Sequence, residues 1–260
     1  MLIFRKKTLL MKHKTLNFLL AGALSFSLIS CDSKTQTEET AIEDNTLSDE
    51  EKTDGWELLF DGKTTDGWHL YNLGDVPSAW IVKGGELFCK PDTFEVVHGD
   101  LVSNKTYSNY DLTFDWNISL AGNSGVFINV MEAEENPTAW TSGPEYQLLD
   151  NLGIHKEYLD DTTHWAGCLY GYQKNLNVVE HKPAGEWNNS RILQENGVVK
   201  YWLNGVQTSE MDFNSEEWKE LVANSSFKSF PNFGNKTEGH IALQDWSKGV
   251  SFRNIKIKNL

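Results

Sequence analysis

Hydrophobic and polar residues alternate along several short stretches of this chain, and a period of two predicts β-strands. The clearest stretch is 110–118, in which four apolar side chains would share one face and four polar side chains the other. Shorter runs of the same kind cover residues 80–83, 86–89, 124–130, 240–244 and 250–257. The chain therefore has the pattern of a protein built mainly of β-sheet.

Turn signals join these runs in a defined way. Two Asn-Gly pairs, at 196–197 and 204–205, divide residues 190–211 into three strand-like runs, which predicts an antiparallel meander. Two glycines in the middle of 80–89 predict a hairpin, and only 215–222 has a helical pattern, with a serine at its N-cap. Many short strands with Gly-rich turns predict an all-β fold, a sandwich or jelly roll.

The segment 143–151 places acid and amide groups inside a strand pattern that is otherwise apolar. In an extended strand Glu145 and Gln147 share one face, whereas Asp150 lies on the other. Two interpretations follow. Either the pair faces solvent on a half-buried strand, or it forms a polar platform suited to sugar hydroxyls or to proton transfer.

The N-terminal segment has the layout of a secretory signal. A basic start at 11–14 precedes an apolar run, 16–29, that is too short for a membrane span. The end of this run, 28–31, resembles the lipobox of bacterial lipoproteins, in which the cysteine is lipidated and becomes the mature N-terminus. We therefore expect residues 1–31 to be a lipoprotein signal peptide with Cys31 as the lipidation site. The protein would then be anchored in the cell envelope, facing the periplasm or the outside.

Residues 32–54 contain nine acidic residues, two lysines and no aromatic residue. This composition cannot bury enough apolar surface to order itself, which predicts a flexible tether before a single domain at 55–260. Removal of residues 1–30, which carry five basic residues and no acidic one, would change the formal charge from −14 to −19. Such an acidic surface argues against nucleic acid as a partner and is compatible with a neutral saccharide.

Two cysteines, Cys89 and Cys168, remain after Cys31. In an oxidising compartment they could form one disulfide, or both could be buried thiols, and the sequence leaves both states open. No spacing of Cys and His resembles a structural zinc site. The ten tryptophans exceed the needs of a core of this size, so we expect some of them to line a sugar-binding surface.

Seven short blocks follow one another through the domain: 56–68 (Trp-Glu-Leu-Leu-Phe-Asp-Gly-Lys-Thr-Thr-Asp-Gly-Trp), 99–103, 122–127, 143–150, 166–170, 183–188 and 252–258. Their content and order resemble the 3-keto-disaccharide hydrolase domain family, over essentially all of 55–260. This resemblance implies a concanavalin A-like jelly-roll β-sandwich, often carried by lipoproteins of sugar-degrading bacteria.

The resemblance also implies a reaction. A ketone at C3 of a glycoside acidifies the C2 proton, so a base can remove it, the glycosidic oxygen leaves by elimination, and water adds back. This route needs a base, a donor for the leaving oxygen and an electrophile that holds the enolate. Glu145 and then His164 are the candidate catalytic groups. Both are also candidate ligands for a divalent cation that would serve as the electrophile.

Polar and aromatic residues at strand ends are the candidates for contact with the sugar: Gln147, Asn123, Tyr170, Gln244, Asp245 and Trp246. Tyr170 is also a candidate donor to the leaving oxygen, and Trp246 a stacking platform. One position departs from the family, whose members usually have Leu-Gln-Asp-His-Gly where this chain has Leu-Gln-Asp-Trp-Ser at 243–247. If that histidine takes part in the chemistry of relatives, Trp246 implies an altered or lost activity.

Two other functions remain open at this stage. A non-catalytic carbohydrate-binding protein on the same fold is favoured by the loss of the motif histidine. A conventional glycoside hydrolase would use Glu145 with a second acid, and acids are plentiful, but the sequence does not give the separation of the two carboxylates.

Overall fold

The computed structural model describes residues 43–90, 96–153, 160–246 and 248–260. Within them the strands are β1 Trp56–Leu58, β2 Trp68–Leu70, β3 Trp80–Lys83, β4 Glu86–Cys89, β5 Leu101–Ser103, β6 Tyr110–Ile118, β7 Asn123–Val130, β8 Glu145–Leu149, β9 Asn188–Glu195, β10 Val198–Leu203, β11 Val206–Asp212, β12 His240–Leu243 and β13 Val250–Asn259. The helices are α1 Asp49–Thr53 and α2 Glu216–Ala223, with 3₁₀ turns at Ala139–Thr141, Thr162–His164 and Ser226–Ser229.

These strands form two antiparallel sheets. The larger sheet has the order β11-β10-β9-β6-β13-β4-β3, with β1 added to β13, and the smaller has the order β2-β5-β12-β7-β8. Many neighbours in space are distant in sequence, as in a jelly roll, because the chain crosses repeatedly between the two sheets. The expected all-β sandwich is confirmed.

Aromatic side chains between the sheets hold the sandwich together. Tyr146 of the smaller sheet packs edge-on against Phe114 of the larger sheet, with 5.8 Å between ring centroids. Its hydroxyl lies 2.7 Å from the Oγ of Ser190, which also accepts a hydrogen bond from the indole of Trp116. The polar ends of these rings are therefore satisfied inside the core, where an unpaired hydroxyl would be costly.

Local sequence signals predicted the longest strands and the clearest turns. The stretch 110–118 is β6 itself, and the meander 190–211 is β9–β10–β11 with its turns at the two Asn-Gly pairs, both asparagines having positive φ. Ser215 caps α2, accepting a hydrogen bond from the backbone N–H of Trp218 at 3.1 Å. The three-residue strands β1, β2 and β5 were not predicted, because so short a run shows no readable alternation.

The described end of the segment predicted as a tether is ordered, which corrects that expectation for residues 43–54. Ser48 and Glu51 form a capping box at the start of α1. Lys256 on β13 is 2.7 Å from Glu51, and Arg253 is 2.7 Å from Asp44. Composition alone misses this order, because the acids are matched by basic side chains on the outer face of the larger sheet. Residues 1–42, including Cys31, lie outside the described residues.

Two further features answer questions that the sequence left open. Cys89 and Cys168 are both buried free thiols, so they do not form a disulfide. In the described part of the chain, no helix has the length and apolar character needed to cross a membrane.

Candidate active site

The site lies on the outer face of the smaller sheet, the face turned away from the sandwich core. On β7 and β8 alternate residues such as Val126 and Tyr146 enter the main core, whereas Phe127 belongs to a separate cluster on the other face. Phe127 pairs with Glu145 across the two strands. Glu145 therefore points outward, as the alternation predicted.

Gly125 makes room for the Glu145 side chain. A Cβ built at this glycine would lie only 2.0 Å from Oε1 of Glu145, far inside van der Waals contact. The backbone conformation does not demand glycine here, because Gly125 is absent from the residues with positive φ. The close approach of the carboxyl group is the physical reason for a glycine in the middle of β7.

A cavity of about 590 Å³, here called the Glu145 cavity, opens beside this carboxyl group. Three candidates from the sequence share it with Glu145 and His164, and the remaining wall is aromatic or small. It is lined by Asn123, Trp140, Glu145, His164, Tyr170, Gly171, Ser225, Ser226, Phe227, Phe230 and Gln244.

The environment of Glu145 favours its protonated form. The residue is only 9% exposed, and no hydrogen bond reaches its carboxyl group from the described residues. Burial raises the pKa of Glu145 well above its ordinary value, and the charge of Asp100 raises it further. A carboxyl group with a raised pKa is a stronger base once ionised, and such groups are common at sites of proton transfer.

His164 and Tyr170 form one wall of the Glu145 cavity. Their rings meet edge to face, with centroids 4.5 Å apart. Nδ1 of His164 lies 3.0 Å from a carboxylate oxygen of Asp161, which orients the imidazole. The backbone N–H of Tyr170 donates to the carbonyl of Glu145 at 3.1 Å, so this loop is fastened alongside β8.

Gln147 does not line either cavity described here, which corrects its assignment as a sugar-contacting residue. It is 1% exposed, and residues 167–168 pair with its backbone. Its side-chain Nε2 donates to Oδ1 of Asn123 at 2.8 Å. Gln147 therefore orients an amide that does line the site. Asp150, on the opposite face, accepts from the backbone N–H of Ala121 and stabilises a turn.

A second cavity of about 550 Å³, here called the Asp100 cavity, adjoins the first. Asn123, Trp140 and Gln244 line both, so the two cavities form one continuous cleft. The other residues around the Asp100 cavity are Tyr71, Asn72, Leu73, His98, Gly99, Asp100, Pro137, Thr138, Asp245 and Trp246.

Asp245 is the centre of a hydrogen-bonded cluster. Its Oδ2 accepts from the backbone N–H of Gly99 at 2.9 Å and lies 2.7 Å from Nδ1 of His98, while Oδ1 accepts from the thiol of Cys89 at 3.2 Å. Its own backbone N–H donates to Oδ1 of Asp100 at 3.0 Å. Asp245 lines the cleft, and most of its bonding capacity serves to position its neighbours.

Asp100 is a second acid in the cleft, and it was not among the residues predicted from sequence. Burial raises its pKa to about 6, and the negative charge of Asp245 contributes, against the lowering effect of the Asp245 N–H. The signal that could have found it is its position in the family block 99–103. Asp100 gives the cleft two carboxyl groups with raised pKa values, one in each cavity.

The candidate metal ligands require a separate comment. In the described residues, one group of three potential ligands has its atoms within 4.8 Å of one another: Cys89, His98 and Asp245. Glu145 and His164, the pair expected from sequence, do not belong to it. The three atoms already satisfy one another through hydrogen bonds, and burial raises the pKa of the Cys89 thiol strongly. We therefore describe this group as a hydrogen-bonded cluster and assign no reaction step to a metal there.

Tryptophan residues divide between core and cleft, as expected. Trp140 is 37% exposed and packs edge-on against Phe230 at 4.9 Å, forming the wall between the two cavities. Neither residue was predicted, because both lie outside the strands in loops or 3₁₀ turns. Trp246 lines the Asp100 cavity and is absent from the lining of the Glu145 cavity. The departure from the family motif therefore lies away from Glu145.

The fold and the cleft define a class: a jelly-roll β-sandwich with an acid-bearing, aromatic-walled site on the outer face of its smaller sheet. The chain belongs to the 3-keto-alpha-glucoside-1,2-lyase-like domain family, whose profile matches residues 55–258. This confirms the resemblance drawn from the seven sequence blocks.

Individual relatives agree with that membership. A 3-keto-disaccharide hydrolase of Bacteroides thetaiotaomicron is 30% identical over 230 residues, which cover 80% of this chain and 79% of that protein. A crystal structure of a protein from Parabacteroides distasonis ATCC 8503, named "putative glycosyl hydrolase", is 34% identical with a TM-score of 0.76, covering 84% of this chain and 100% of that one. A second protein of the same name and strain, 23% identical with a TM-score of 0.59, covers 79% and 99% and shares the fold.

Proposed function

We propose that this protein cleaves 3-keto-glycosides, by removal of the C2 proton, elimination of the leaving group and addition of water. The observation that carries the proposal is the buried carboxyl group of Glu145 at the wall of an aromatic-lined cavity. The family and the B. thetaiotaomicron relative support the same substrate class.

Glu145 would act as the base. Its ionised form takes the C2 proton, which the neighbouring ketone has made acidic. The electron pair left at C2 then forms a double bond to C1, and the bond from C1 to the glycosidic oxygen breaks. In the second half of the reaction water adds at C1 and Glu145 returns its proton to C2, so the base is regenerated. General base catalysis of this kind contributes about 10²–10⁴-fold.

The other groups of the Glu145 cavity would hold the sugar and the developing negative charge. The amides of Asn123 and Gln244 and the hydroxyl of Tyr170 can donate to the ketone oxygen as it becomes an enolate. Gln147 fixes the Asn123 amide from behind. The rings of Trp140, Phe227 and Phe230 offer flat apolar surfaces to the C–H face of a sugar ring. Hydrogen-bond donors can stabilise the enolate without a cation. The experiment below includes a chelator, which tests whether a cation also takes part.

Asp100 gives a specific reason to keep a second candidate function, conventional glycoside hydrolysis. Such enzymes use two acids on either side of the scissile bond, and Asp100 lies in the cavity adjoining that of Glu145. A non-catalytic sugar-binding role is the third candidate, which the motif histidine replaced by Trp246 favours.

One experiment separates the three candidates. The purified protein is incubated with a 3-keto-glucoside and with its unoxidised parent, each with and without chelator, and products are followed by chromatography. Turnover of the keto sugar alone supports the proposal, and turnover of the parent supports conventional hydrolysis. Binding of either sugar without turnover leaves only the binding protein. Activity that chelator removes and Mn²⁺ or Zn²⁺ restores would add a cation to the mechanism.

We also propose that Cys31 carries a lipid anchor that places the protein in the cell envelope. The lipobox-like segment at 28–31 supports this. Expression of the full chain in a bacterium, followed by detergent phase partition, tests it. We expect the wild type in the detergent phase and the Cys31→Ala variant in the aqueous phase. Equal partition of both would refute the anchor.

A further inference from the structure

We propose that the Asp100 cavity is the site of the leaving group, an uncharged polyhydroxylated alcohol such as a second sugar, and that the Asp100 carboxyl donates a proton to the glycosidic oxygen. This inference rests on the proposed function, and it gives a role to the half of the cleft to which that function assigns none.

The shape of the cleft indicates the direction in which the leaving group extends from Glu145. If C2 lies at Glu145, then C1 and its glycosidic oxygen lie one and two bonds away, and the leaving group must extend out of the Glu145 cavity. Asn123, Trp140 and Gln244 line both cavities, so the scissile bond falls at this shared boundary. The leaving group then enters the Asp100 cavity, where Asn72 and Thr138 offer polar atoms to hydroxyl groups.

Asp100 is held in place for this role. Its Oδ1 accepts the backbone N–H of Asp245 at 3.0 Å, and the carboxylate of Asp245 accepts the N–H of Gly99, the residue before Asp100. The carboxylate of Asp100 thus binds the backbone of Asp245, and the carboxylate of Asp245 binds the backbone next to Asp100. Trp246, the residue that departs from the family motif, forms another part of the same wall.

The surroundings of Asp100 raise the pH at which its carboxyl group loses its proton. Burial raises its pKa to about 6. The titratable groups that face it are Asp245 and Glu145, both negative when ionised, together with His98, Tyr71 and Cys89. Burial raises the pKa of Glu145 as well, so the two carboxyl groups compete for a proton, and the reactive form is the one in which Asp100 holds it and Glu145 is ionised.

The protons balance over the whole reaction. Glu145 takes the C2 proton, the C1–O bond breaks, and the departing oxygen takes the proton of Asp100. Water then adds at C1 and passes one proton to Asp100, while Glu145 returns its own to C2. Both carboxyl groups end in their starting state, and the net change is hydrolysis of the 3-keto-glycoside.

The test compares leaving groups that differ in their need for a proton. Activities are measured on a 3-keto-disaccharide and on 4-nitrophenyl 3-keto-glucoside, whose phenolate leaves without protonation. For Asp100→Asn we expect a loss of at least about 100-fold in kcat on the disaccharide and less than about 5-fold on the nitrophenyl substrate. The control Asp66→Asn, at an exposed aspartate outside both cavities, should match wild type on both substrates.

Tyr170 is the rival donor, and Tyr170→Phe is measured in parallel. Equal losses for Asp100→Asn on the two substrates, or a leaving-group-dependent loss in Tyr170→Phe alone, would overturn the role of Asp100. If wild type itself cleaves neither keto substrate, the proposed function fails and this inference with it. If wild type is active but Asp100→Asn loses the same activity on both substrates, the inference fails and the proposed function stands.

A second variant tests the position of the leaving group without altering Asp100. Methyl 3-keto-glucoside has no second ring, so Trp246→Ala should leave its KM within about twofold of wild type. The same variant should raise the KM of a 3-keto-disaccharide by about 5-fold or more, through lost contact area. An equal effect on both substrates would place the second ring elsewhere.

Discussion

The Glu145 cavity and the Asp100 cavity share a wall, yet their acids are held in opposite ways. Glu145 sits over a glycine with no hydrogen bond to its carboxyl group from the described residues, and its position comes from packing. Asp100, by contrast, is held by a hydrogen bond that its Oδ1 accepts from the backbone N–H of Asp245. In the proposed mechanism the buried carboxyl group that is held by packing is the base, and the hydrogen-bonded one is the acid that must be aimed. The contrast teaches that one cleft can assign two roles to the same functional group by its surroundings.

The largest expected effect is at Glu145. Glu145→Gln should lower kcat by about 10³-fold on both the disaccharide and the nitrophenyl substrate, because C2 deprotonation precedes any dependence on the leaving group. Steady-state rates on the two substrates measure this. If Glu145→Gln retains full activity, Glu145 is not the base, and the proposed difference in role between the two cavities is lost.

Trp140 should come next, because it serves both cavities. Trp140→Ala is expected to reduce kcat/KM by about 10–100-fold on every keto substrate, through the loss of a stacking surface. Its exposure of 37% predicts little change in melting temperature. Trp202→Ala is the matched control, since Trp202 stacks beneath Arg191 at 4.6 Å and lines neither cavity. Comparable losses in both variants would argue against a shared wall.

Asp245 should matter more for stability than Glu145 does. Asp245→Asn replaces an acceptor for Gly99, His98 and Cys89 by an amide that can accept at only one atom. We expect a decrease of about 1–3 kcal/mol in the free energy of unfolding, measured by urea denaturation. Glu145→Gln should cause no decrease, because no hydrogen bond is lost. A larger loss of stability in Glu145→Gln than in Asp245→Asn would contradict the view that hydrogen bonds hold the Asp100 cavity and packing holds Glu145.

The smallest effect concerns pH. The pKa of Asp100 is raised to about 6 in the folded protein, so between about pH 4 and pH 6 the folded state holds a proton that the unfolded chain has lost. The contribution of Asp100 to stability is therefore fully present below this window and falls as pH rises through it, by about 1 kcal/mol from pH 5 to pH 6.5. Thermal unfolding across this range should show a smaller fall in Asp100→Asn. An unchanged slope would mean that Asp100 titrates normally.

The sequence predicted the strands that carry the site better than the site itself. Alternation on β8 identified Glu145, and the ends of β7 and β12 identified Asn123 and Gln244, because strand periodicity is a local property. The partners across the cleft depend on which strands become neighbours. Trp140 and Phe230 come from loops brought over the sheet by chain crossings, and their approach leaves no periodic signal.

The sequence also did not predict which polar residues are buried or ordered. Gln147 is polar and lies on the same face of β8 as Glu145, yet it is 1% exposed and its amide donates to Asn123 on β7. Residues 43–54 have the composition of a disordered tether, yet the basic side chains of β13 hold them. In both cases a segment distant in sequence supplies the partner, so no local pattern could predict the outcome.

The docking of residues 43–54 also fixes an orientation. These residues contact the outer face of the larger sheet, through Arg253 and Lys256, whereas the cleft opens on the outer face of the smaller sheet. The chain thus enters the domain on the side opposite the cleft. A sugar would therefore reach the cleft from the side of the domain opposite to residues 43–54.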